Sequence, residues 1–146
     1  MKVVINGCHG GYGLSEACVR EWARRKGIGM WVEPSKTHPD ILPPTYWIVP
    51  PERRPPDLSS RWNGLSDDER RANSDAWRTA TIDQRRSIER NDATLVAVVE
   101  ELGAAVCSGS SAKLAIVDIP DDVEWQIGEY DGVERVEEKH RVWGRD

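Results

Sequence analysis

The seven residues Gly7-Cys8-His9-Gly10-Gly11-Tyr12-Gly13 combine four glycines with a thiol, an imidazole and a phenol. Before them, Lys2-Val3-Val4-Ile5-Asn6 is predicted as a short buried strand. After them, Leu14-Ser15-Glu16 opens a helix. A strand, a glycine loop and a helix N-terminus form a cradle for phosphate, because glycines let the backbone approach and first-turn N–H groups point at the anion. The candidate ligand contacts are Gly10, Gly11 and Gly13 through their backbone, and Tyr12 as a surface for a base. The loop matches neither standard nucleotide fingerprint. It lacks the Lys-Ser/Thr ending of a P-loop, and Glu16 stands where Gly11-Tyr12-Gly13 would need a further glycine. The competing reading is a tight β–α connection whose glycines only relieve backbone strain.

Arginine is the second chemical signal. Nine arginines and no lysine lie between Arg53 and Arg90. Guanidinium forks grip phosphate bidentately and stack on flat rings, which lysine does less well. Arg85, Arg86 and Arg90 are the candidate phosphate partners. Acids balance the segment, so a salt-bridged solvated surface is the simpler alternative. Tryptophan is the third signal: there are seven, and no phenylalanine. Trp22, Trp31, Trp47, Trp62, Trp77, Trp125 and Trp143 must supply much of the large apolar volume, in the core or at a subunit interface, with one or two available to stack on a base.

Catalytic constellations are scarce. Cys8 precedes a helix, as activated thiolates do, but adjacent extended residues point apart, so His9 is a poor base for it. His38 and His140 have neither i,i+4 partners nor cysteines at ligand spacing, so no metal site is expected. Glu124, Glu129 and Asp131 make an acid–base pair only if the fold brings two into one cleft. Ser108 to Ser111 lacks the nucleophile-elbow pattern.

These residues must be positioned by a chain of 146 residues with net charge −5. Its length suits one domain, 1–146, able to bury roughly two-thirds of its unfolded surface without a staple. Cys8, Cys18 and Cys107 have no disulfide or metal spacing. No signal peptide and no membrane-spanning run is present, so the expected location is the cytoplasm, with no membrane partner. The acidic balance argues against a nucleic-acid partner. From Asp118 onward there are ten acids and four bases.

The expected fold class is α+β or α/β, with one sheet of four to five strands and two main helices. Leu14, Cys18, Val19 and Trp22 share a face of a helix over about 15–26, capped by Ser15 and ended by Gly27. Ile28 to Thr45 reads as irregular. Tyr46 to Val49 is a β run, and 51–84 is a candidate insertion or arm, polar and rich in proline and arginine. A capping box at Ser66-Asp67-Asp68-Glu69 marks a short helix. Arg85 to Arg90 reads as an edge strand. Asn91 or Asp92 caps a helix to Leu102, with Leu95, Val98, Val99 and Leu102 on its apolar face and Gly103 as its stop. Strands follow at 113–119 and 123–130, then a turn at Asp131-Gly132. For 133–143 a return strand and a short helix compete, and the spacing of Val133, Val136 and His140 favours the helix.

The segment Lys2 to Ser15 resembles the start of a widespread group of small phage and prophage proteins. Ile88–Gly103, Ile119–Gly132 and the ending Glu138–Trp143 resemble later blocks of that group, about half of the chain in all. The group in turn resembles the first Thoeris anti-defence family of phage sponge proteins. That resemblance implies a non-enzymatic binder, without a cofactor, that sequesters cyclic ADP-ribose isomers or cyclic oligonucleotides as a homo-oligomer, a dimer or hexamer. The group's loop usually carries lysine in place of Gly7 and an aromatic in place of His9, so these two positions are where ligand preference would differ. Two alternatives stand beside it. One is a small nucleotide or phosphoester enzyme using Cys8, His9 or His140. The other is an inhibitor that binds a host protein.

Overall fold

The computed structural model describes residues 1–140 and 143–144. It is an α+β protein whose described residues cluster into two compact units, residues 1–22 with 88–146, and residues 23–87. The division falls inside helix α1 (Glu16–Lys26).

In the first unit, strand β1 (Lys2–Asn6) pairs antiparallel with β5 (Leu114–Asp118), Val4 opposite Ile116. Helices α3 (Ala93–Leu102) and α4 (Ala104–Cys107) follow one another across Gly103, whose φ of 93° breaks the helical path. The core gathers Val3, Val4, Leu14, Cys18, Val19, Trp22, Ile88, Leu95, Val98, Val99 and Leu114. Ser15 Oγ accepts from Cys18 N at the start of α1, and Asp92 accepts from Leu95 N at the start of α3. Both satisfy N–H groups that a helix start leaves without partners. Asp92 also accepts from Trp22 Nε1 at 2.8 Å, so one carboxylate caps α3 and fixes α1. Strands β6 (Trp125–Tyr130) and β7 (Val133–Glu138) form a hairpin closed by Asp131-Gly132, both with positive φ, as the two-residue turn requires.

The second unit holds β2 (Trp31–Glu33), β3 (Thr45–Trp47) and β4 (Thr81–Ile82), in the order β2-β3-β4 and all antiparallel. Helix α2 (Asp67–Ala80) leads into β4, and a 3₁₀ segment (Ser59–Gly64) precedes it. Ser66 caps α2 as expected, its Oγ accepting from Glu69 N, but the reciprocal half of the capping box differs: the Glu69 carboxylate accepts from the Ser66 hydroxyl in place of the Ser66 backbone N–H.

Several expectations are corrected. There is no single sheet of four to five strands among the described residues; there are three small sheets of two, three and two strands. The free side of β1 shows why. Val4 N donates to Arg90 O, Val4 O accepts from Arg90 Nη1, and Asn6 N donates to Glu134 Oε2. A residue's backbone and two side chains thus take the places that a further strand would occupy. Arg85–Arg90 is turn rather than edge strand, because Asp83 Oδ1 accepts from both Arg85 N and Arg86 N and Ser87 Oγ accepts from Asp83 N. Such local bonds compete with a sheet ladder. The segment after Asp131-Gly132 is a strand, not a helix, since the turn returns it directly along β6; positions 141 and 142 of that expected element lie outside the described residues. Helix α2, in the part of the chain that reads as least regular, has 14 residues and exceeds the others in length. Of the seven tryptophans only Trp22 and Trp47 are buried, while Trp31 is 42% and Trp143 86% exposed.

Cys18 and Cys107 are fully buried, and burial raises both thiols above their ordinary range. Cys8 is half-buried. In the native protein, a disulfide reagent is therefore expected to modify Cys8 alone, with the other two reacting only in denaturant. Two or three fast thiols would contradict this packing. The sign of the pH effect follows: the folded state keeps these two protons where the unfolded chain loses them, so stability falls as pH rises past the ordinary thiol range.

Candidate functional site

The glycine loop lies in the first unit, and its backbone is committed to neighbours. Gly7 N donates to Lys113 O at 2.8 Å and Gly13 O accepts from Gly109 N at 2.9 Å. A Cβ on Gly10 would lie 1.8 Å from the carbonyl oxygen of Ser111. Gly11, at φ +89°, faces open space. Beneath the loop, Asn6 is fully buried and ties three segments together. Its Nδ2 donates to Cys8 O at 2.6 Å and Gly132 O at 2.8 Å, while its Oδ1 accepts from Lys113 N at 2.8 Å.

Two expected site residues meet here. The Arg90 guanidinium carbon stands 3.2 Å from the centre of the Tyr12 ring, covering one face. The same guanidinium donates from Nη1 and Nη2 to the two oxygens of Glu134, at 2.8 and 2.9 Å. Tyr12 is 5% exposed. At the start of α1, Glu16 adds negative charge and pairs with Arg20 at 3.2 Å. His9 Nδ1 turns to Asp131, 3.2 Å from its carbonyl oxygen, and Cys8 Sγ stands 3.4 Å from Asn6 Oδ1 and from Ser111 O. His140 borders a separate cavity with Gln126, Glu137 and Glu138.

Arg85 and Arg86 lie in the second unit, which contains a cavity of about 770 Å³. Its lining includes Trp62 and Asn63 from the 3₁₀ segment, and Asn73, Trp77 and Arg78 from α2. Asp57 lies before the 3₁₀ segment, with Asp83 and Arg86 in the turn after β4. Helical geometry explains the assembly: Asn73 and Trp77, and beside them Ser74 and Arg78, stand four residues apart, so one stripe of α2 faces the cavity and Thr81 at the start of β4 extends it.

Trp77 is held from several directions. Its Nε1 donates to Pro56 O at 3.2 Å, and its ring lies 4.7 Å from that of Trp47, tilted by 48°. Trp47 is backed by the guanidinium of Arg54, 4.9 Å from its ring centre, and Arg54 donates to Glu33 at 3.1 Å. Trp62 is fixed through its carbonyl, which accepts from Arg70 Nε at 3.0 Å.

Charge in the cavity is divided by role. Asp57 accepts from Ser59 N, and the Ser59 hydroxyl and N–H hold its carboxyl below the usual range. Asp83 accepts from the N–H groups of Arg85 and Arg86. Both acids thus cap backbone. Arg78 is exposed and makes no ion pair or side-chain hydrogen bond among the described residues, and Arg86 reaches Asp83 only at 3.9 Å. Two aromatic rings, a cation without a partner and a second loosely held cation suit an anionic ligand with a flat ring.

Trp62, Trp77 and Arg78 were not singled out by spacing or motif, although the arginine-rich, tryptophan-bearing segment was. The i,i+4 pairs Asn73–Trp77 and Ser74–Arg78 behind Ser66 are the signal that finds Trp77 and Arg78; Trp62, before that helix, has no such signal. Among the described residues, no group of three His, Cys, Asp or Glu side chains is placed to hold a metal ion, and no helix is long and apolar enough to cross a membrane. Models of known protein families, curated protein sequences and solved structures give no match to this chain.

Proposed function

We propose that this protein is a phage-encoded anti-defence sponge, a binder that sequesters a cyclic nucleotide signal without cleaving it. The ligand class is a cyclic ADP-ribose isomer or a cyclic oligonucleotide, as implied by the resemblance of Lys2–Ser15 and the later blocks to a group of small phage proteins that in turn resembles the first Thoeris anti-defence family. The observation that carries the reading is the lining of the 770 Å³ cavity, with Trp62 and Trp77 for bases and Arg78 and Arg86 for phosphate. The volume falls within the range of small-molecule sites, roughly 300–1,000 Å³. Base stacking on an aromatic side chain contributes about 1–3 kcal/mol, and it tolerates different bases.

The test incubates purified protein with cyclic ADP-ribose isomers and with cyclic di- and trinucleotides, removes free ligand, and heat-denatures the protein. Intact ligand is expected in the supernatant. Trp77→Ala is expected to weaken binding by about 10- to 100-fold, the equivalent of the stacking contribution. Failure to retain any of these ligands ends the proposal. A converted product would point to the phosphoester enzyme instead.

A further inference from the structure

The β6–β7 hairpin has a strand edge that meets no other strand. Lys139 N donates to Glu124 O at 2.7 Å, one pair before Trp125 stands opposite Glu138. An antiparallel ladder alternates bonded and non-bonded pairs, so Gln126, Gly128 and Tyr130 turn their backbone groups toward β7. The N–H and C=O groups of Trp125, Ile127 and Glu129 therefore point away from β7, and they have no hydrogen-bond partner among the described residues. Proteins usually guard such an edge with a very short strand, a bulge, a proline or a lysine. Strand β6 has six residues, an unbroken register, and neither proline nor lysine. Trp125 and Ile127 are half-exposed on one face of it, and Tyr130 is 77% exposed on the other.

Charge selects the occupant of this edge. From Asp118 to Glu134 there are seven acids and no lysine, arginine or histidine. Asp118 and Asp121 pair with the N-terminal amine, and Glu134 pairs with Arg90. Asp122, Glu124 and Glu129 are exposed and make no ion pair among the described residues. Two copies pairing through β6 would bring these acids together, which disfavours a second copy as the occupant. We infer that β6 takes up an extended basic segment of another protein as a third strand. The backbone groups of Trp125, Ile127 and Glu129 form the ladder, and alternate side chains give the selectivity. Apolar residues of the guest lie beside Trp125 and Ile127. Its lysines or arginines fall on the opposite face, beside the Glu124 carboxylate and the Tyr130 ring, which suits a cation. This edge belongs to the first unit and is independent of the sequestration cavity in the second.

The experiment titrates the full chain into a fluorescently labelled peptide that alternates lysine with valine, and follows anisotropy. The controls are the same peptide N-methylated at every second residue, which keeps its charge but cannot form the ladder, and a glutamate–valine counterpart. The lysine peptide is expected to bind about tenfold or more tighter than its N-methylated form, and the glutamate peptide not to bind. Glu124→Gln with Glu129→Gln is expected to weaken binding about three- to tenfold, the scale of two exposed ion pairs. Circular dichroism establishes that this variant is folded. Amide exchange followed by NMR supplies the position: the peptide is expected to slow exchange at Trp125, Ile127 and Glu129 about tenfold or more, while Gln126, Gly128 and Tyr130, already bonded within the hairpin, change little. Equal binding of the N-methylated peptide overturns the third strand, since charge alone would then explain the affinity. Absence of binding, or protection that does not alternate along β6, overturns it as well. Protection of the same three amides that rises with protein concentration and needs no peptide shows a second copy on the edge, and so overturns the basic partner.

Discussion

Glu134→Ala is expected to cost about 3–5 kcal/mol of folding stability, the usual loss when one partner of a buried ion pair is removed. The Glu134 side chain is 8% exposed and that of Arg90 17%. Two bonds of 2.8 and 2.9 Å join them as a fork, and a third link runs from Asn6 N to Glu134 Oε2 at 2.8 Å. Alanine removes the carboxylate and leaves a guanidinium without its counter-charge against the Tyr12 ring, with a backbone N–H of β1 unsatisfied. Urea denaturation of the variant measures the loss. The double variant Arg90→Met with Glu134→Leu provides the control. Replacing both charges by apolar groups avoids stranding either one, so it is expected to cost less than the single change. A single-variant loss below about 1 kcal/mol, the scale of an exposed pair, would show that the pair is solvated in solution.

Gly10→Ala is expected to destabilise the protein by about 3 kcal/mol, at the upper end of the usual overpacking range. The added methyl would meet the Ser111 carbonyl oxygen at 1.8 Å and its carbon at 2.8 Å. Both belong to backbone, so no side chain can swing away to make room. Gly11→Ala differs in kind. It meets nothing within 4 Å, but it must hold φ at +89°, a strain of about 1–2 kcal/mol. Gly29, with a negative φ and open space, is the neutral control. Thermal melts of the three variants separate packing from ligand approach. If the Gly10 variant melts like the parent and loses only ligand binding, close packing on Ser111 is not the reason for that glycine.

The two predictions bear on the same question from opposite ends. Tyr12, Arg90 and Gly10 are legible in the sequence as candidate ligand contacts because tyrosine, arginine and glycine are what a phosphate site uses. The same three types are also what a tight crossing of strand, loop and hairpin uses. A ring covers a guanidinium, a guanidinium satisfies a strand edge, and a missing side chain lets two backbones touch. Residue type does not separate these roles; the distances to Glu134, Val4 and Ser111 are what reveal the packing role.

The second unit presents the converse. Arg86 and the aromatic richness of the middle segment are visible in composition, but the cavity they share needs α2. That helix was signalled only at its first turn, by the capping box at Ser66. Its continuation to Ala80 runs through residues that are mostly polar and leave only Ala80 buried, so few apolar side chains mark the helix there.

What the sequence by itself determined is local. The caps at Ser15 and Ser66, the stops at Gly27 and Gly103 and the Asp131-Gly132 turn depend on bonds within a few residues, and each is present. The α+β class follows from the same local signals. Tertiary structure alone decided that β1 is edged by Arg90 and Glu134 instead of a third strand, and that Arg86 in the turn after β4 lines the same cavity as Trp77. Both outcomes join residues far apart in the chain or depend on the direction of a side chain. Such contacts are selected by geometric fit and charge compensation in the folded chain, for which one-dimensional spacing carries no signal.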